Sequence, residues 1–130
     1  MRILIVEDDF TSRQLLKMLL SQYGDCDIAV DGEEAVSAFK MSLEEEKHYD
    51  LICLDIMMPK MDGHEALKAI RDIEDDRAFS SAEKAKIIMT TALDTSKDIL
   101  GSFKNQCDAY IVKPIEKEKF TKTLKDIGLM

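Results

Sequence analysis

Apolar residues follow two rhythms along this chain: short unbroken runs, and longer stretches in which they recur every three or four positions. Unbroken runs occur at residues 3–6 (Ile-Leu-Ile-Val), 51–54 (Leu-Ile-Cys-Leu), 87–89 (Ile-Ile-Met) and 109–112 (Ala-Tyr-Ile-Val). Charged or turn residues bound them, as expected of strands buried on both faces. A weaker run at 25–30, with Ile28 and Val30 alternating against polar neighbours, predicts a more peripheral strand. Helical spacing carries Leu15, Leu16, Leu19 and Leu20, then Ala35, Val36, Phe39 and Leu43, then Ala66, Leu67, Ile70 and Ile73. A fourth helix is expected with Ile99, Leu100, Phe103 and Cys107 inward and Thr95 or Ser96 as its cap. A last one carries Phe120, Leu124 and Ile127 inward and Lys117, Lys119, Lys122 and Lys125 around the rest.

Punctuation residues sharpen these boundaries. Thr11 and Ser12 suit the start of the first helix, and Tyr23-Gly24 its end. Asp62 before Gly63, with Glu65 three residues on, predicts a capping box. The polar stretch 74–83 reads as an exposed loop or a helix extension, and the run 44–47 as a solvated helix end. Five strands alternating with five helices predict one α/β domain over residues 1–130, a doubly wound parallel sheet of order 2-1-3-4-5 in the flavodoxin-like manner. The purest apolar runs, the first and third, belong at its centre.

Length and composition narrow the classes. One domain of 130 residues, 45% hydrophobic and 34% charged, has the balance of a soluble globular protein. No stretch approaches the roughly 20 apolar residues of a membrane span, and acids interrupt the N-terminal apolar run where an export signal would continue. Cys26, Cys53 and Cys107 are odd in number and scattered, so free thiols in a reducing cytoplasm are expected. A net charge of −8 argues against direct nucleic-acid binding. No internal repeat, low-complexity tract or linker interrupts the chain, so one free-standing domain is expected.

The chemistry collects at strand ends. In the predicted topology the C-terminal edges of strands one, three, four and five bring together Glu7, Asp8, Asp55, Thr91 and Lys113. Crowded carboxylates repel and demand a cation, and oxygen donors without His or Cys select Mg²⁺. A lysine and a hydroxyl nearby are donors for an anion. Together they describe phosphoryl transfer onto the carboxylate itself, with Asp55 attacking in line.

Val6-Glu7-Asp8, Leu54-Asp55-Ile56-Met57-Met58-Pro59 with Met61-Asp62-Gly63, Thr91-Ala92, and Asp108-Ala109-Tyr110-Ile111-Val112-Lys113-Pro114 resemble the response-regulator receiver domains of two-component signalling, in order and in spacing over essentially the whole chain. The resemblance implies that Asp55 is the phosphoacceptor and Asp8 a direct Mg²⁺ ligand, with Glu7 acting largely through water and the Met57 backbone carbonyl as the third protein ligand. Mn²⁺ is the expected substitute ion. Thr91 is implied as the switch hydroxyl, Tyr110 as the switch aromatic, and Lys113 as the phosphate-contacting lysine before a cis-proline. Because the acid run has three members, Asp8-Asp9 is the alternative to Glu7-Asp8; the four-residue first strand and Arg13 favour the latter. The implied partners are a sensor histidine kinase or a histidine phosphotransfer protein, and a downstream protein met through the fourth helix, fifth strand and fifth helix. Met57 and Leu93 stand where family members border the path of hydrolytic water; both are apolar, so slow hydrolysis of phospho-Asp55 is expected. His48 and His64 lack the helical context of phosphohistidines. Two rival readings are a constitutive adaptor of the same fold and a flavodoxin-type cofactor enzyme, against which the acids after the first strand argue.

Overall fold

A computed structural model describes residues 1–92 and 107–129. Five parallel strands, β1 (Arg2–Val6), β2 (Asp25–Ala29), β3 (Leu51–Asp55), β4 (Lys86–Thr91) and β5 (Ala109–Val112), form one sheet in the order β2-β1-β3-β4-β5. Four helices lie among the described residues: α1 (Phe10–Leu20), α2 (Gly32–Glu44), α3 (Gly63–Asp76) and α4 (Lys117–Asp126). The expected helix through Ile99, Leu100 and Phe103 lies outside the described residues, as does Leu93.

Alternation along each strand divides the core in two. Leu4, Val6, Ile52, Leu54, Ile87 and Met89 face α2 and α3, where Phe39, Leu43, Leu67 and Ile70 cover them. Ile3, Ile5, Leu51, Cys53, Ile88 and Ile111 face α1 and α4, under Leu16, Leu20, Phe120 and Leu124. Being buried on both faces is what makes the strands read as unbroken apolar runs instead of alternating ones. Cys53 sits within β3, and burial pushes its thiol far above the ordinary range, so it packs as a hydrophobe.

The edge strand β2 is polar and open. Ile28 and Val30, whose alternation marked a peripheral strand, are both exposed, and Ala29 is the buried member. Charge protects this edge: Arg2 pairs with Asp27 at 2.8 Å and lies 4.8 Å from the Tyr49 ring, whose hydroxyl donates to Asp27 at 2.7 Å.

Two further expectations are corrected. The first helix begins at Phe10, not at Thr11 or Ser12, because Asp9 is its N-cap and accepts from the Ser12 N–H at 2.9 Å. Of the two readings of the stretch from Glu74, the helix extension holds as far as Asp76, where α3 ends, but exposure does not hold at its start, because Glu74 is fully buried. Its carboxylate accepts from Arg71 at 2.7 Å and from the Ala85 N–H at 2.8 Å, while Arg71 also reaches Asp108 at 3.0 Å. This buried network fastens α3 to the leading edges of β4 and β5. The Asp62–Glu65 capping box is formed as predicted.

Candidate functional site

Each acid at the sheet's C-terminal edge is delivered by a strand that stops there. β1 ends at Val6, and the Glu7 N–H still donates to Ala29 O at 3.1 Å, so Glu7 extends the ladder and is fully buried. Asp8 follows in the open, and Asp9 turns away to cap α1. Asp55 is the last residue of β3 and only 3% exposed. The chain then leaves the sheet at Ile56 and doubles back, with the Gly63 N–H donating to Ile56 O at 2.9 Å. A Cβ on Gly63 would sit 2.4 Å from the Asp55 carbonyl oxygen, so only glycine permits this close return.

Carboxylate oxygens of Glu7, Asp8 and Asp55 all lie within 4.8 Å of one another. Lys113, one residue past β5, places Nζ 2.9 Å from Glu7 Oε1 and 3.6 Å from Asp55 Oδ1. The Met57 N–H points to Asp55 Oδ1 at 3.4 Å. Burial and then the Glu7 charge push the Asp55 carboxyl up from 3.8 to about 7, with Lys113 opposing them. One lysine is thus shared by two buried carboxylates. Glu7 Oε2 is buried with no hydrogen-bond partner among the described residues. An orphaned carboxylate oxygen beside two other acids, with no nitrogen or sulfur ligand, suits a hard divalent cation such as Mg²⁺.

Of the acid pairs left open by the sequence, the geometry gathers Glu7 and Asp8 with Asp55, because Asp9 is occupied at the helix start. Arg13 reaches back from α1 to donate to the Glu7 backbone carbonyl at 3.0 Å. Thr91 is fully buried at the end of β4, and its carbonyl accepts from the Lys113 N–H at 2.7 Å. Tyr110 is half-buried and packs against the core on the α2 and α3 side. Strand alternation therefore separates the candidates: Asp55 lies on the α1 and α4 side, and Tyr110 on the other. The Lys113–Pro114 peptide is cis. Met57 is exposed beside the site, whereas His48 is stacked on Phe79 and His64 lies in the first turn of α3.

Sequence reasoning missed three features of this neighbourhood: the Asp9 cap, the close return at Gly63, and a buried hydroxyl on Thr90. The first was signalled by Ser12 three residues after Asp9. The second depends on a contact between segments that no local pattern encodes.

A doubly wound parallel sheet whose strands gather three carboxylates and one lysine at their C-terminal edge is an α/β domain with its candidate site at the carboxyl ends of the strands. The protein family described as the response regulator receiver domain matches residues 3–125. The chemotaxis protein CheY of Treponema pallidum is 31% identical over 128 residues, spanning 97% of this chain and 81% of that protein. A probable transcriptional regulator, ycf27, of Porphyridium aerugineum is 34% identical over 127 residues; the match covers 97% of this chain and 47% of the regulator, so the chain spans about half that relative's length. Among solved structures, the complex of CheX, CheY, BeF3 and Mg from Borrelia burgdorferi contains a chain that superposes with a TM-score of 0.80 at 31% identity, covering 97% of this chain and 87% of that one. The chain belongs to the response regulator receiver domain family and is a receiver domain of two-component signalling.

Proposed function

We propose that this receiver domain, acting as one unit over residues 1–130, accepts a phosphoryl group on Asp55 from a phosphohistidine of a sensor kinase or phosphotransfer protein. The observation that carries the reading is the cluster of Glu7, Asp8 and Asp55 carboxylates within 4.8 Å, with the Lys113 ammonium 2.9 and 3.6 Å from two of them. Asp8, Glu7 (largely through water), Asp55 and the Met57 carbonyl are the proposed holders of Mg²⁺, with Mn²⁺ able to replace it. When bound, the ion supplies positive charge that favours ionised Asp55 and offsets the charge of the transferring group.

The protein's own groups do the rest. Asp55 Oδ attacks phosphorus in line; an O–P bond forms, the P–N bond to the donor imidazole breaks, and that nitrogen keeps the electron pair and takes a proton. Lys113 exchanges its Glu7 contact for a phosphoryl oxygen, a charge-assisted hydrogen bond that strengthens as negative charge builds there. Burial of Asp55 keeps competing water out. The new dianion then offers an acceptor to the Thr91 hydroxyl, and Tyr110 follows into the space vacated.

Output is proposed to pass to a protein target across the surface of β5, α4 and the residues that precede β5. A cavity of about 540 Å³ there, lined by Tyr110, Lys113, Lys119 and Lys122, supports that assignment. No described helix is long and apolar enough to cross a membrane; a cytoplasmic site of action is part of the proposal.

Intact mass after incubation with acetyl phosphate tests the reading. A phosphoryl increment is expected only with Mg²⁺ and only when Asp55 is present, so Asp55→Asn should remain unlabelled. A folded wild-type protein that takes no increment would instead support constitutive binding through the same fold.

A further inference from the structure

Among the described residues, Thr90 carries a buried side-chain hydroxyl with no hydrogen-bond partner, inside β4 and fully shielded from solvent. A buried hydroxyl normally finds a partner, so an orphan of this kind asks for a reason. Its place in the sheet supplies one. Register pairs Asp55 directly with Thr90, and Thr90 in turn with Ile111. Ile88 and Ile111 belong to the core beneath α1 and α4, as does Cys53, so Asp55 and Thr90 project to that same side. Lys113, two residues beyond Ile111, must cross the end of β4 to reach Asp55 and Glu7. Thr90 therefore occupies the strand between the proposed phosphoacceptor and its lysine.

We propose that Thr90 is a positioning residue for Asp55, its hydroxyl held in reserve as a donor to the Asp55 carboxyl group. The role rests on Asp55 being the phosphoacceptor. Paired strands lie about 4.8 Å apart, a gap that a threonine hydroxyl and an aspartate oxygen span when they turn toward one another. At present the Asp55 Oδ1 oxygen has Lys113 and the Met57 N–H for company. Once one Asp55 oxygen is bonded to phosphorus and Lys113 has turned to the phosphoryl group, the remaining oxygen loses its ammonium partner. Thr90, paired across the strands with Asp55 and carrying an unpartnered hydroxyl, donates to that oxygen as the O–P bond forms and holds it as the acyl oxygen.

The resting cost and the catalytic gain make opposite predictions for one substitution. Thr90→Val keeps the shape and removes the hydroxyl; Thr90→Ser keeps the hydroxyl and removes the methyl group. Initial rates of Mg²⁺-dependent phosphorylation by acetyl phosphate, followed by intact mass, would be measured beside thermal melts of the unphosphorylated proteins. Thr90→Val is expected to be phosphorylated about tenfold more slowly, the worth of one hydrogen bond to a charged acceptor, while melting about 3 °C higher through loss of an unpaired buried group. Thr90→Ser should keep at least half the wild-type rate. A Thr90→Val rate equal to wild type overturns the proposal, and so does a Thr90→Ser rate as low as that of Thr90→Val, which would mean that packing alone matters. If wild type itself is not labelled, the phosphoacceptor reading fails and the role of Thr90 falls with it.

Discussion

Replacing Asp55 by asparagine removes a buried charge that the fold opposes, while keeping the side chain's shape. Burial and the neighbouring Glu7 raise this carboxyl from 3.8 to about 7, which corresponds to about 4 kcal/mol of penalty on its ionised form. Relaxation around Lys113 lowers that figure, so a gain of about 2 to 4 kcal/mol is expected for Asp55→Asn at pH 8 in EDTA. For a domain of this length the gain corresponds to a melting temperature about 7 °C or more above wild type. The pH dependence carries the sign. Because the folded-state value is raised, the favourable state is complete below pH 3.8, and its stability is lost as pH rises through about 7. Wild type should therefore weaken across that window, and the gap to Asp55→Asn should narrow to about half at about pH 5.5. Circular dichroism melts at both pH values measure it. A variant that melts at or below wild type at pH 8, or a gap independent of pH, would refute the claim that Asp55 is held at an electrostatic cost.

Gly63→Ala should cost about 2 kcal/mol in urea unfolding, because the added Cβ would meet the Asp55 carbonyl oxygen at 2.4 Å and Ile56 Cα at 2.7 Å; stability within error of wild type would show that the return has room. Glu74→Gln should cost about 3 kcal/mol by leaving Arg71 with a weakened buried partner. Asp72→Ala, which removes the exposed pair with Lys68, should cost less than about 1 kcal/mol in the same assay; equal losses would contradict the burial argument. Replacing Met57 by Asn together with Leu93 by Glu should shorten the lifetime of phospho-Asp55 several-fold, and an unchanged decay rate, followed by intact mass, would dismiss the idea that apolar residues at these positions slow hydrolysis.

Much of this protein is written locally. Unbroken apolar runs identify β1, β3 and β4 because each is buried on both faces, the run at β5 marks a half-buried edge strand, and helical spacing identifies α1 to α4 because each helix buries one stripe. The Asp62–Glu65 box and the Asp55 carboxylate at a strand end are likewise legible within a few residues. What the chain does not state locally is which of these groups meet. Glu7 and Lys113 are 106 residues apart and touch only because β1 and β5 end at the same edge of one sheet. Three consecutive acids at positions 7 to 9 look equivalent until helix capping claims Asp9 and the ladder buries Glu7. Glu74 reads as a surface residue, yet Arg71 and the Ala85 N–H make its burial tolerable. Thr90 and Thr91 are neighbours in sequence, but the alternation of a strand sends their side chains to opposite faces, and the register of β3 on β4 then sets Thr90 beside Asp55. Periodicity reports the face a residue turns toward; only the assembled sheet decides what is waiting on that face.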